Sequence, residues 1–197
     1  VGILTASQFY HLVERETEEF ETEVSDFELA SRLSYFLWGS MPDEELFAAA
    51  RAGNLTEPET LRAQLDRMLA DNRSAQFLDA FPRQWLQLHR LGQFPPDREL
   101  YPDYDSRLEE SMALESTKFF GEIFRQNLSI REFLQSDWTV VNPRLALHYG
   151  MDIQKPNFEI RSLEPEDHRG GLLTQASVLS LTSDGTRHRQ VHRGVWA

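Results

Sequence analysis

The chain has 197 residues, with 40% hydrophobic and 26% charged, close to the average of globular domains, and a formal net charge of -12. That length is one large domain or two small ones, and so acidic a balance lacks the Lys/Arg surplus that neutralises phosphates, which excludes nucleic acid as a partner. Cysteine is absent, which excludes disulfides, thiolate zinc and iron–sulfur sites, a thiol nucleophile and covalent CxxCH haem attachment within this segment.

The apolar runs are only a few residues long, so no membrane span is expected. The chain opens Val1-Gly2-Ile3-Leu4 without an initiator Met or a basic-then-apolar leader and stops at Val195-Trp196-Ala197 in mid-pattern. A segment of a longer polypeptide is the expectation.

Residues 1–25 carry an apolar patch (Ile3, Leu4, Phe9, Tyr10, Leu12, Val13). Between Glu14 and Asp26 seven acidic residues then face the single Arg15. This reads as a solvated acidic arm or the end of a preceding domain, with an acidic docking surface as the alternative. Asp26 has the chemistry of an N-cap for a helix stripe of Leu29, Leu33, Phe36 and Leu37 that stops at Gly39. Ser40-Met41-Pro42-Asp43 predicts the next start, by capping-box spacing and an early Pro, and Gly53 its end. Thr56-Glu57-Pro58-Glu59 repeats the signal before Leu61, Leu65, Met68 and Leu69.

A fourth helix from Ser74 contains Pro82, which predicts a kink near 78–81 or a fresh start, because Pro removes one backbone bond and clashes with the preceding turn. Residues 92–105, with three Pro, read as a surface loop. The longest helix is expected over 106–126, apolar on two faces and hence central. A short helix follows at 130–134, and Asn142-Pro143 starts another that runs to His148-Tyr149-Gly150. Phe158, Ile160 and Leu163 alternate weakly enough for one short strand. The fold class is therefore mainly α, a multi-helix bundle with long loops and at most a short strand pair near the C-terminal third. The domain division is an arm over 1–25, a helical bundle over 26–155, and a linker with the truncated start of a second domain over 156–197.

Candidate chemistry concentrates in Arg169–Trp196. Arg169, Gly170 and Gly171 precede a helix expected over 172–181, and the two glycines offer either backbone N–H groups for an anion or a tight turn into that helix. Thr174, Ser177 and Ser180 form a hydroxyl stripe expected on its half-wet face. Arg187, His188, Arg189, His192 and Arg193 follow. His188 and His192 have i,i+4 spacing, but no HExxH glutamate accompanies them and the flanking arginines repel a cation, so no metal is assigned. His148 falls in the last turn of its helix, where an imidazolium meets the negative helix end. His11, His89 and His168 stand alone. Asp103 and Asp105 open like a calcium loop, but Arg107 replaces the third ligand and the turn glycine is missing. GxSxG, SxxK, GxGxxG and phosphate-loop patterns are absent, so no catalytic residue is assigned.

Five strings occur in order: FELASRLSYFLWGSMPDEEL, FPRQWLQLHRL, STKFFGEIF, DWTVVNPRLALHYGM and RGGLLTQASVLSLTSDGTRHRQVHRGVW. Over residues 26–197 the chain resembles the paired domains of unknown function of large planctomycete-type proteins that often also carry a cytochrome-c-like haem domain. The resemblance implies an exported protein with carbohydrate-binding-like modules, a helical first domain and a second that begins near Arg169. Haem c would then sit in other domains, with no cofactor in this segment. His188 and His192 depart from the family pattern.

The leading expectation is a non-catalytic structural or interaction module whose partners are neighbouring domains of the same polypeptide. The alternative is an enzyme or binding module for an anionic polysaccharide. Its anion would be held by Arg169, Arg187, Arg189 and Arg193, with His188 or His148 as acid/base. Non-covalent haem contact through His148 is a third reading.

Overall fold

The computed structural model describes residues 24–93, 95–152, 155–187 and 189–196; the acidic arm, apart from its last two residues, lies outside them. Among the described residues there are eight α-helices and one two-stranded antiparallel sheet in the C-terminal part, so the chain is mainly α. Two compact units divide between Phe77 and Leu78.

The first unit holds α1 (Asp26–Trp38), α2 (Glu44–Ala52), α3 (Pro58–Ala70) and the start of α4 (Ala75–Trp85). The starts differ from expectation by a residue or more. Ser25, not Asp26, caps α1 in a reciprocal box with Glu28, which leaves the Asp26 carboxylate to accept from the Thr56 backbone N–H at 3.2 Å. Asp43, not Ser40, caps α2, and Glu57 stands at the N-cap of α3 without a side-chain bond. At α2 the Asp43 carboxylate, next to the helix start, accepts from the Leu46 N–H, a bond that Ser40 stands too far upstream to make. Leu37, Trp38, Leu46, Leu55 and Met68 are buried. The Trp38 indole N–H donates to the Met68 carbonyl at 3.0 Å.

In the second unit α4 runs through Pro82 as one element, and Pro82 is buried. The central member is α5 (Ser106–Arg125), capped by Asp105 and buried on most of its circumference, as its two apolar faces predict. One core forms around Leu86, Phe119, Ile123, Val140 and Leu172, with the Phe119 and Trp138 rings 4.5 Å apart. Another forms around Leu108, Met112, Val141, Leu145 and Ala176.

Strand β1 (Trp138–Val141) pairs with β2 (Glu159–Ser162) in register Trp138 to Ser162. Its β-branched run Thr139-Val140-Val141 was the available signal. Asn142 caps α6 (Pro143–Tyr149), which Gly150 closes in the left-handed conformation, as expected. The helix expected over 172–181 is instead a 3-10 turn (Leu172–Thr174), an extended Gln175 and α7 (Ala176–Leu181). The break has a tertiary cause: the Ala176 N–H donates to the Tyr149 hydroxyl at 2.9 Å, replacing an intrahelical partner. The hydroxyl stripe is corrected with it. Ser177 is fully buried, 2.7 Å from the Ser116 hydroxyl, rather than half-wet. α8 (Gln190–Trp196) ends the described chain.

Candidate functional site

A cleft of about 490 Å³ opens within the second unit, in the size range of small-molecule sites. Met112, Ala176 and Leu179 make its apolar floor, Tyr101 and Tyr104 an aromatic wall, and Ser180 and Ser183 a hydroxyl edge; His148, Arg169 and Arg193 supply nitrogen and positive charge. The Pro-rich loop is pinned there by the backbone. Asp97 N–H donates to the Gly185 carbonyl at 2.9 Å, and Gly185 has φ +85° with the Pro95 carbonyl oxygen 2.8 Å from where a Cβ would stand. Only glycine permits both the left-handed turn and that approach. Tyr104 is pushed up to about 12, by burial first and then by the charge of Glu109, to which its hydroxyl donates at 3.3 Å.

Arg169 forms the inner edge. Its guanidinium stacks 3.7 Å from the centre of the Tyr149 ring and donates to the Thr174 carbonyl at 2.9 Å. Arg193 donates from Nε to the Thr182 hydroxyl at 3.3 Å. Ion pairs among the described residues engage Arg51, Arg67, Arg73, Arg83, Arg144 and Arg189 and leave out Arg169 and Arg193.

Behind Arg169 lies Glu115, 1% exposed. Its carboxylate accepts from the Tyr149 hydroxyl at 2.6 Å and from the Thr139 hydroxyl at 2.8 Å. Burial pushes Glu115 up to about 7, against the two hydroxyl donors and the positive charge of Arg169. Tyr149 in turn is raised well above its ordinary value by burial and by Glu115, so it stays a neutral donor. A small internal cavity of about 10 Å³ touches Glu115, Thr139, Arg169 and Gln175, and the buried Gln175 Nε2 has no protein partner among the described residues. Such a space is at the lower limit for one water.

The residues singled out from the sequence separate here. Arg169, His148 and Arg193 line the cleft. Gly170 and Gly171 border the internal cavity and spend their N–H groups on Thr174 and Ser136. Gly171 has φ +72°, and a Cβ there would lie 2.6 Å from the Leu134 backbone, so close packing is what requires it. Arg189 pairs with Asp184 at 3.0 Å. Arg187 gives its backbone N–H to Asp184 at 2.7 Å, and its side chain is exposed, as is His192. Asp184 is held far below the usual carboxylate range by the Arg187 and Thr186 N–H groups and by Arg189. His188 lies outside the described residues.

His148 needs a correction: burial and the charges of Arg169 and Arg144 lower its pKa. The neutral imidazole is therefore favoured over the expected helix-end imidazolium. Among the described residues no group of three or more His, Cys, Asp or Glu is arranged to hold a metal ion.

Sequence reasoning missed Glu115, Tyr149, Tyr101 and Tyr104. For Glu115 a signal existed, since it follows Leu108 by seven and Met112 by three, on the helix's buried stripe.

A family model described as PSD4, "Protein of unknown function (DUF1592)", matches residues 24–151. The chain belongs to that family. No curated protein and no solved structure matches the chain. The match spans α1 to α6 and so includes Glu115, His148 and Tyr149, whereas Arg169, α7 and Arg193 follow it.

Proposed function

We propose that this member of the family is a non-catalytic recognition module whose cleft binds an anionic saccharide. One observation carries the reading: two arginines without ion-pair partners among the described residues, Arg169 and Arg193, share a cleft with Tyr101 and Tyr104. Aromatic faces pack against the C–H faces of sugar rings, the serine hydroxyls exchange hydrogen bonds with sugar hydroxyls, and a guanidinium donates to a carboxylate or sulfate in a fork. The described lining contains no carboxylate, so the pair that glycoside hydrolysis uses is not assembled there. The overall charge of -12 opposes long polyanions more than a short, locally neutralised one.

In the same proposal the module belongs to a large exported, planctomycete-type protein with c-type haem in other domains, and it packs against neighbouring domains of that polypeptide. The five ordered strings are what support this; the family match supports only a domain of unknown function. A full reading frame with a leader and a CxxCH motif would agree; a frame with neither overturns it.

Calorimetric titration with digalacturonate tests the cleft. Saturable binding that Arg193→Ala weakens about tenfold or more is expected, in the range for one charged hydrogen bond. Absence of binding, or binding indifferent to Arg193→Ala but lost in Arg187→Ala, overturns the assignment.

A further inference from the structure

Arg169 has two neighbours of opposite kind. On one side it lines the cleft, and on the other it borders the internal cavity that Glu115 also touches. Glu115 is 1% exposed and is reached by two hydroxyl donors, Tyr149 from α6 and Thr139 from β1. Arg169 is the cation whose field supports its carboxylate. The Tyr149 ring joins these parts physically: its hydroxyl binds Glu115 and its face carries the Arg169 guanidinium at 3.7 Å. Resting on the cleft assignment above, we propose that an anion bound at Arg169 is taken up together with a proton from solvent, which lands on Glu115.

The coupling is electrostatic. An anion at Arg169 cancels the positive field that favours the Glu115 carboxylate, and at a site this dry the field is weakly screened. Glu115 already sits near 7, so a modest further rise converts a half-ionised group into a largely protonated one. The other groups facing this pair do not substitute for it. Tyr149 is raised well above its ordinary value, Tyr104 to about 12, and Arg144 is engaged by Asp105. His148 is lowered from 6.5, so its own change in charge falls below pH 7. Linkage then sets the sign. Uptake of a proton on binding means that affinity falls as pH rises between about 7 and 8.5.

Digalacturonate is the probe, titrated at pH 7.5 in two buffers of different ionisation heat. The expected result is uptake of about half a proton per ligand. In Glu115→Gln the uptake disappears, and the remaining binding is insensitive to pH above 7. Buffer-independent heats in the wild type, or uptake that persists in Glu115→Gln, overturn the proposal. Tyr149→Phe gives a second route if Glu115→Gln does not fold. It removes a donor to the carboxylate and keeps the ring under Arg169, so the uptake window moves to higher pH, and an unmoved window counts against the link. Failure of digalacturonate to bind overturns the ligand assignment by itself. The linkage is then decided by carbon NMR titration of Glu115 in Arg169→Gln, whose midpoint rises by about one pH unit if the two charges are coupled and stays put if they are not.

Discussion

Both units stack an arginine on an aromatic ring beside carboxylates, and the carboxylates respond in opposite directions. In the first unit Arg73 lies 3.4 Å over Trp38, and Arg67 grips Asp43 with two bonds of 2.7 and 3.0 Å. Asp43 is lowered to about 2, chiefly by the Arg67 hydrogen bond, and Asp71 likewise by Arg73. In the second unit Arg169 stacks on Tyr149, but Glu115 receives hydroxyl donors instead of a guanidinium fork and rises to about 7. An arginine nearby is therefore not enough to keep a carboxylate ionised. Access to water and a direct charged donor decide it: Asp43 has both, and Glu115 has neither.

Deleting each carboxylate separates the two cases most strongly. Glu115→Ala, measured by urea denaturation at pH 5 where the wild-type group is protonated, should cost roughly 3–5 kcal/mol. It opens a cavity and strips a partner from two buried hydroxyls. Asp43→Ala, which loses the α2 cap and an incompletely buried ion pair, should cost about 1–2 kcal/mol. Equal costs would remove the distinction.

The pH dependence of stability should also run in opposite senses. Glu115 is raised from 4.5 to about 7, so the folded state binds the extra proton. Its contribution is fully present below pH 4.5 and is lost as pH rises through 7, a change of about 3 kcal/mol. Glu115→Gln should lose that slope, so that it appears in the wild-type-minus-variant difference of unfolding free energy against pH. Asp43 is lowered to about 2, so its contribution is present above about 3.8 and lost as pH falls through 2. Asp43→Asn should flatten only that acid limb.

Two glycines extend the comparison to the backbone. Gly53 closes α2 with φ +70° and its nearest obstacle 3.9 Å away, whereas Gly171 combines φ +72° with backbone atoms at 2.6 Å. Gly53→Ala should cost about 1 kcal/mol from left-handed strain alone. Gly171→Ala should cost about 2–3 kcal/mol, because Leu134 must also move, and thermal unfolding of the two variants checks the order.

The helices were legible because their signals are local. Leu29, Leu33 and Leu37 repeat at the helical period, Asn142-Pro143 starts α6, and Gly39, Gly53 and Gly150 stop their helices in the left-handed conformation. Helix starts were less so: where Ser25, Asp26, Ser40 and Asp43 all carry capping chemistry, the winner depends on what else each side chain can bind, as Asp26 does with Thr56. The stretch 172–181 has a helical pattern in sequence yet breaks in the fold, because Gln175 and Ala176 find partners on α5 and α6, more than twenty residues away.

The site divides along the same line. Arg169, Arg193 and His148 stand out in the sequence as residue types able to meet an anion, while Arg187 and Arg189 stand out equally and lie on the exposed turn around Asp184. Composition marks a charge but not whether a neighbour consumes it. By itself the sequence determined a mainly α chain with a central two-faced α5, because period, caps and breakers act within a few residues of themselves. Only the tertiary structure decided that Tyr101, Tyr104, Arg169 and Arg193 share one cleft and that Glu115 is sealed behind it. Burial and the distance between residues far apart in sequence are properties of the packed chain alone, and they set the protonation of Glu115 and leave Arg169 without an ion-pair partner among the described residues.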